Sequence, residues 1–211
     1  MYLPKHFEQQ DAAAMAQLLE LHPLATVAWH AADGLSAEHL PLMWERAAGD
    51  GAHGTLRGHV ARANPVWREA AGGEVLAVFQ GPQAYITPSW YASKTANAKV
   101  VPTWNYAVVH MHGRLRITED ATWLRALVGR LTDVHEATRA QRWQVGDAPA
   151  DYIAAMLGAI VGIEIEVVRL QGKWKVSQNR TASDRTGVVA GLESMAGEQA
   201  AAMAALVRGR A

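Results

Sequence analysis

The chain has 211 residues, half of them hydrophobic, with 20 basic and 20 acidic side chains and no cysteine. A chain of this length and composition buries a sizeable core, which argues against overall disorder. Zero net charge withholds the broad positive field of a dedicated binder of DNA or anionic membranes, and the missing thiols exclude disulfides, thiolate metal sites and cysteine nucleophiles.

The opening MYLPKHFEQQD has no basic segment followed by an apolar core, and no window holds the roughly 20 unbroken apolar residues of a membrane span. A soluble, cytoplasmic protein is expected. Pro4 to His6 reads as an extended arm, and Met15, Leu18, Leu19 and Leu21 recur at helical spacing over Glu8 to Leu21 until Pro23. Leu24 to His30 and Ser36 to Trp44 read as a hairpin around Ala-Ala-Asp-Gly, Gly49 to Gly54 as a loop, and Gly54 to Ala61 as a third strand. Pro65 opens a short helix through Trp67 and Ala70. Glu74 to Phe79 and Ala84 to Thr87 read as two strands separated by a Gly-Pro turn, with Ser89 as cap of a short turn and 94–100 as a polar loop.

Val101 to Ile117 is the longest strand signal, with Gly113 as a bend or bulge. Asp120 caps an amphipathic helix whose stripe of Leu124, Leu127, Val128, Leu131 and Val134 is assigned to the core. A polar loop from Arg139 to Ala148 and a short helix from Asp151 to Ala159 follow. Gly162 to Leu170 alternates as a half-exposed strand, Gln171-Gly172 turns the chain, and Lys173 to Gln178 continues it. Thr186 to Val207 reads as one helix whose Gly191 and Gly197 allow close packing. Short strands and tight turns between terminal helices imply an antiparallel barrel in a single domain spanning 1–211, with a helical extension at about 186–207. Both GxGxxG and GxxxxGK[ST] are missing.

The least generic text runs from Val78 to Asn105, where three prolines, two tryptophans and two tyrosines lie among hydroxyls, amides and lysines. Aromatics beside such groups suit a flat, polar-edged ligand carrying negative charge. Arg62 and Asn64 stand at a strand exit before Pro65, a place where guanidinium and backbone N–H groups converge on a phosphate; the plain alternative is a surface arginine and an Asn-Pro turn. Lys99, Thr103, Trp104 and Asn105 offer either a second set of ligand contacts or a tryptophan-anchored sheet edge. His110 and His112 share a strand face without the third ligand that a metal needs. No GxSxG elbow or paired carboxylates mark hydrolysis.

The blocks GHVARANP, VFQGPQAYITPSWY, KVVPTWNYAVVHMHG and KWKVSQNR followed by DRTGVVAGL stand in an order that closely resembles the PaiB family of FMN-binding proteins, to which a role in transcriptional regulation is ascribed. The resemblance implies a mainly β fold, the split β-barrel related to pyridoxamine-phosphate oxidase and flavin reductase, flanked by N- and C-terminal helices. It also implies a homodimer holding FMN at the subunit interface. Carried onto matching positions, Arg62 and Lys99 would neutralise phosphate, with Asn64 and Thr103 as polar contacts. Val100, Trp104 and Asn105 would approach the ring or ribityl chain, and Ser89, Trp90 and Tyr91 would complete the pocket from the same or the partner chain. Lys175, Gln178 and Arg180 are the remaining cationic and amide contacts. With no helix-turn-helix and no basic face, direct DNA contact is not expected. Three readings stay open: a flavin-binding regulator or sensor, an FMN-dependent oxidoreductase acting on a small molecule, and a haem-binding split barrel.

Overall fold

The computed structural model describes residues 1–46 and 53–209; of the expected loop Gly49 to Gly54, only His53 and Gly54 fall among them. Eight strands form one sheet in the order β3-β2-β6-β7-β8-β5-β4, with β1 added to β8. In chain order these are β1 (Glu8–Gln9), β2 (Leu24–Ala31), β3 (Gly34–Pro41), β4 (Met43–Glu45), β5 (Thr55–Ala61), β6 (Glu74–Ile86), β7 (Thr103–Thr118) and β8 (Ile160–Lys175). The helices are α1 (Ala12–Leu21), α2 (Val66–Glu69), α3 (Ser93–Asn97), α4 (Ala121–Glu136), α5 (Ala150–Gly158), α6 (Ala182–Glu193) and α7 (Glu198–Arg208). The chain separates into two compact units, the first of Met1–His22, Phe79–His110 and Gln171–Ala211, the second of Pro23–Val78 and Met111–Leu170.

The second unit carries the hairpin β2–β3, which pairs antiparallel from Leu24↔Pro41 to Ala31↔Gly34 and turns through two residues. Gly34 has φ +132°, a conformation that side chains with a Cβ rarely adopt. The expected second strand ends earlier than Trp44. Pro41 has no N–H to continue the ladder, Leu42 N–H turns to the Pro23 carbonyl at 3.0 Å, and Met43–Glu45 pairs instead with β5. Leu56, Val60, Ile163 and Ile165 from β5 and β8 form a fully apolar inner face with Val27, Ala77, Met111 and Leu115. Over the outer face lies α4, capped by Asp120, whose carboxylate accepts from Trp123 N–H at 2.6 Å. Only the first half of its apolar stripe is core: Leu124 and Leu127 are buried, but Val134 is 53% exposed. At Gly113 a Cβ would stand 2.3 Å from the Glu166 carbonyl, so this glycine serves a close approach of β8.

The first unit corrects several expectations. Lys5–Phe7 is a 3-10 turn closed by Phe7 N–H on the Pro4 carbonyl, not an extended arm. Glu8 and Gln9 pair with Lys173 and Gly172, so α1 starts only after its cap Asp11. Neither Gly81-Pro82 nor Gln171-Gly172 turns the chain: β6 and β8 run through both. In β6 the buried positions change phase at that point, from odd (Val75, Ala77, Phe79) to even (Ala84, Ile86), and β8 makes a similar change between Val167 and Trp174. Glycine and proline inside a long strand thus mark a local irregularity of the ladder rather than its end. Thr87, not Ser89, caps the Pro88–Trp90 turn, and the presumed loop after it folds as α3. The C-terminal helix is two helices, divided at Gly197 with φ +114°.

Candidate functional site

Within the first unit, the stretch between Thr87 and Asn105 is held by the C-terminal segment. The N-cap residue of α3, Ala92, offers no side-chain acceptor; Asp184 of α6 supplies one, accepting from Ser93 N–H and Ser93 Oγ–H, each at 2.9 Å. Asp184 is itself buried, and the Ser93 backbone N–H, with the Ser93 and Thr181 side chains, holds its carboxyl below the usual range against a desolvation that works the other way. Trp90 lies directly on α6: a Cβ at Gly187 would fall 1.9 Å from the Trp90 carbonyl oxygen, and one at Gly191 2.2 Å from its ring. Gly197, by contrast, meets nothing and serves only the break before α7. Tyr91 is buried beneath the Arg180 guanidinium, 4.6 Å from ring to cation, and among the described residues its buried hydroxyl has no hydrogen-bond partner. Burial pushes that phenol up.

The sheet side of the same unit is aromatic and cationic. Alternation along β7 places Trp104, Tyr106, Val108 and His110 on one face, where with Met1, Gln80 and Gln83 they line a groove of about 480 Å³. Trp104 is 54% exposed and meets Tyr85 edge-on at 6.0 Å. Lys175 donates to Thr103 Oγ1 and, at 2.8 Å, to the Trp104 carbonyl; desolvation, then the positive charge of Lys173 and Arg180, draws its pKa down, opposed by Tyr106. Lys173 is buried, donates to the Tyr2 carbonyl at 3.0 Å, and lies between the rings of Tyr2 and Tyr106. Among the described residues no carboxylate pairs with Lys94, Lys99, Lys173 or Lys175; Lys94 reaches only the Ser89 hydroxyl at 3.2 Å. Val100 and Lys99 lie on the irregular segment after α3, where Ala98 has φ +55°.

Two of the expected contact residues have internal partners. Asn105 is buried and exchanges hydrogen bonds with Ser177 at 2.9 and 3.3 Å, which fixes the positive-φ turn after β8. Gln178 closes that turn, accepting from Val176 N–H and donating to the Trp174 carbonyl. Arg62 and Asn64 belong to the second unit. Arg62 donates to the Gly158 and Ile160 carbonyls at 2.9 and 3.3 Å and pairs with Glu119, which leaves two of the five guanidinium N–H donors uncommitted. Asn64 caps α2 through Val66 N–H at 3.0 Å and donates to Glu38 at 2.8 Å. Asp184, Tyr106 and Lys173 escaped sequence reading, although Tyr106 was within reach through its i+2 relation to Trp104.

Residues 1–169 match the family described as Putative FMN-binding domain. The chain belongs to this family. It is 33% identical to protease synthase and sporulation protein PAI 2 of Bacillus subtilis, over 98% of this chain and 96% of that protein, so the PaiB resemblance holds. An uncharacterized protein of Emericella nidulans is also 33% identical, over the whole of this chain and 97% of its own. The flavocytochrome Anf3 of Azotobacter vinelandii superposes with a TM-score of 0.60 at 12% identity, covering 82% of this chain and 72% of that one, a likeness of fold. The fold is the split barrel of flavin-binding proteins, with a central antiparallel sheet and helices at both ends, and the cofactor of this family is FMN. The first unit fits it: lysines without acid partners suit an anion, a groove walled by Trp104 and Tyr106 suits a planar ring, and the Tyr91 hydroxyl awaits a partner. Among the described residues no helix is long and apolar enough to cross a membrane, and no cluster of three metal-ligating side chains occurs.

Proposed function

We propose that this chain is a flavin-based sensor in gene regulation, a cytoplasmic homodimer that holds FMN at the subunit interface. The observation that carries the reading is the pair Lys173 and Lys175, unpaired with any acid and set against the exposed aromatic face of Trp104 and Tyr106. An aromatic face that is half exposed in one chain is suited to burial against a second copy. In this reading Lys99 neutralises phosphate, with Thr103 beside it, while Arg62 and Asn64 are engaged within the second unit. Val100 and Trp104 face the ring or ribityl chain, and Ser89, Trp90, Tyr91, Lys175 and Arg180 complete the enclosure, while Asn105 and Gln178 hold the Ser177 turn behind it. Bound FMN supplies reversible electron transfer. The protein's own part is to hold the flavin and offer cationic donors to its anionic edges, and no carboxylate lines the groove to abstract a proton.

The regulatory half of the proposal draws on the Bacillus subtilis relative, whose name connects that protein with protease synthesis and sporulation. With zero net charge, the chain acts through a partner or a metabolite rather than on DNA itself. A second reading, an FMN-dependent oxidoreductase, is favoured by the exposure of Trp104, which leaves room for a small acceptor. The test is an absorbance spectrum after FMN loading and desalting, with sedimentation of the same sample. Retained bands near roughly 375 and 450 nm on a dimer support the proposal. A colourless monomer refutes it, and a Soret band would install haem instead. Steady consumption of reduced nicotinamide with added acceptors would replace the sensor by the oxidoreductase.

A further inference from the structure

The side chain of Lys175 has a set of hydrogen-bond partners that suits its neutral form. Two acceptors meet Nζ, the Thr103 hydroxyl and, at 2.8 Å, the Trp104 carbonyl. An ammonium carries three N–H donors and would keep one unmatched here, whereas an amine carries two and turns its lone pair to the third position. Among the described residues no salt bridge forms to Lys173, Lys175 or Arg180, so no carboxylate pairs with the proton. Burial, then the charges of Lys173 and Arg180, draw the Lys175 pKa down, and Tyr106 alone opposes them. Lys173 differs: it is buried, and its charge lies between the rings of Tyr2 and Tyr106. Lys175 is partly exposed and open to a reagent.

We propose that Lys175 is a nucleophilic amine that condenses with a flat aromatic aldehyde seated in the groove of Trp104 and Tyr106. A desolvated lysine beside other cations is activated in this way. The Nζ lone pair forms a bond to the carbonyl carbon. The carbonyl oxygen then leaves as water with both amine hydrogens, and a C=N bond remains; no oxidant or reductant takes part. The Thr103 hydroxyl, an acceptor for the amine, becomes the donor to the imine nitrogen. The groove of about 480 Å³, with Trp104 and Tyr106 in its walls, gives the ring an aromatic surface to pack on. FMN, an anion, selects the ammonium of Lys175, whereas the aldehyde takes the amine, so the two ligands exclude each other. Only this competition rests on the flavin reading; the reactivity of the amine does not.

Benzaldehyde is the probe. The full chain, before and after FMN loading, is incubated with it and reduced with cyanoborohydride, and the label on each lysine is measured by peptide mass spectrometry. Without FMN, Lys175 is expected to carry roughly tenfold more label than Lys5, Lys94 or Lys99. Its selectivity over those lysines should be roughly threefold greater with benzaldehyde than with butanal, which has no ring to pack. Arg180→Gln removes a neighbouring cation and should move the rise of Lys175 labelling to higher pH, a change that a merely structural role would not produce. Lys173→Met should act in the same direction, and serves if the Arg180 variant fails to fold. Label spread evenly over the lysines, or missing from Lys175, overturns the proposal; equal selectivity with butanal overturns the aromatic ligand. FMN loading is expected to protect Lys175. Undiminished label on protein that retains FMN overturns the competition and moves the flavin away from Lys175, while the nucleophilic amine stands.

Discussion

In the second unit two arginines of the sheet are spent on carboxylates, Arg57 on Glu45 and Glu164 and Arg116 on Glu166, whereas in the first unit Lys173 and Lys175 reach only hydroxyl and carbonyl oxygen. The two arrangements behave oppositely toward protons. The carboxylates hold the Arg57 guanidinium charged against the burial that opposes it, while Lys175, with burial and neighbouring cations against it, is drawn down. Charge that is neutralised within the chain belongs to the scaffold. Charge left without a counter-ion on an aromatic face is, in the proposed reading, available to an anionic ligand.

The largest expected effect is on the frame that carries the first unit's site. Gly187→Val drives a side chain into the Trp90 carbonyl, and should cost about 3 kcal/mol by urea unfolding with FMN binding lost alongside. Asp184→Ala leaves the Ser93 N–H without its buried acceptor, with an expected loss of about 2 kcal/mol. Asp184→Asn, which retains one acceptor, should recover part of it.

Lys175→Met and Lys99→Ala test the comparison itself. Each should weaken FMN binding by roughly tenfold; Lys99→Ala should leave the unfolding midpoint unchanged, whereas Lys175→Met also gives up the bonds to Thr103 and the Trp104 carbonyl and should cost about 1 kcal/mol. Arg62→Ala should instead lower stability by about 1 kcal/mol, since it removes the donors to Gly158 and Ile160; its exposed pairing with Glu119 adds little. A double variant of Arg62 and Lys99 therefore mixes two effects that the single variants separate. Equal loss of FMN affinity and stability in all three would erase the distinction between the units.

The smallest effect is protonic. Burial lowers the pKa of His59 on β5, and its Nδ1 has no partner among the described residues. The unfolded state then binds the proton more readily than the folded state. The stability contributed by neutral His59 is complete above the unfolded value of about 6.5 and is lost as pH falls through the lower folded value. Urea midpoints between pH 7.5 and 5 should fall, and His59→Gln should flatten the slope.

Local signals were legible where one physical cause acts alone. The hydroxyl-or-carboxylate cap before α4 and the period-2 runs of β2, β5 and β7 show on the page. The breaks predicted at Gly81-Pro82 and Gln171-Gly172 failed because the same residues that begin turns also relieve long strands, and only the neighbouring strands decide which. In the site, the sequence pointed to the aromatic and cationic text around Lys99 and Trp104. It did not reveal that Asn105 and Gln178 serve the Ser177 turn, or that Asp184, many residues downstream, caps α3.

By itself, the sequence determined the family, the flavin and the antiparallel class, because each rests on composition or on short ordered blocks. Tertiary structure decided which of the charges are neutralised within the chain. Glu45 and Glu164 lie far apart along the chain and meet Arg57 only through β4 and β8, whereas β1 sets Glu8 opposite Lys173 in register and, among the described residues, no salt bridge forms to Lys173 or Lys175. Pairing of charges depends on distances of a few ångströms in space, and strand order, not sequence separation, sets those distances.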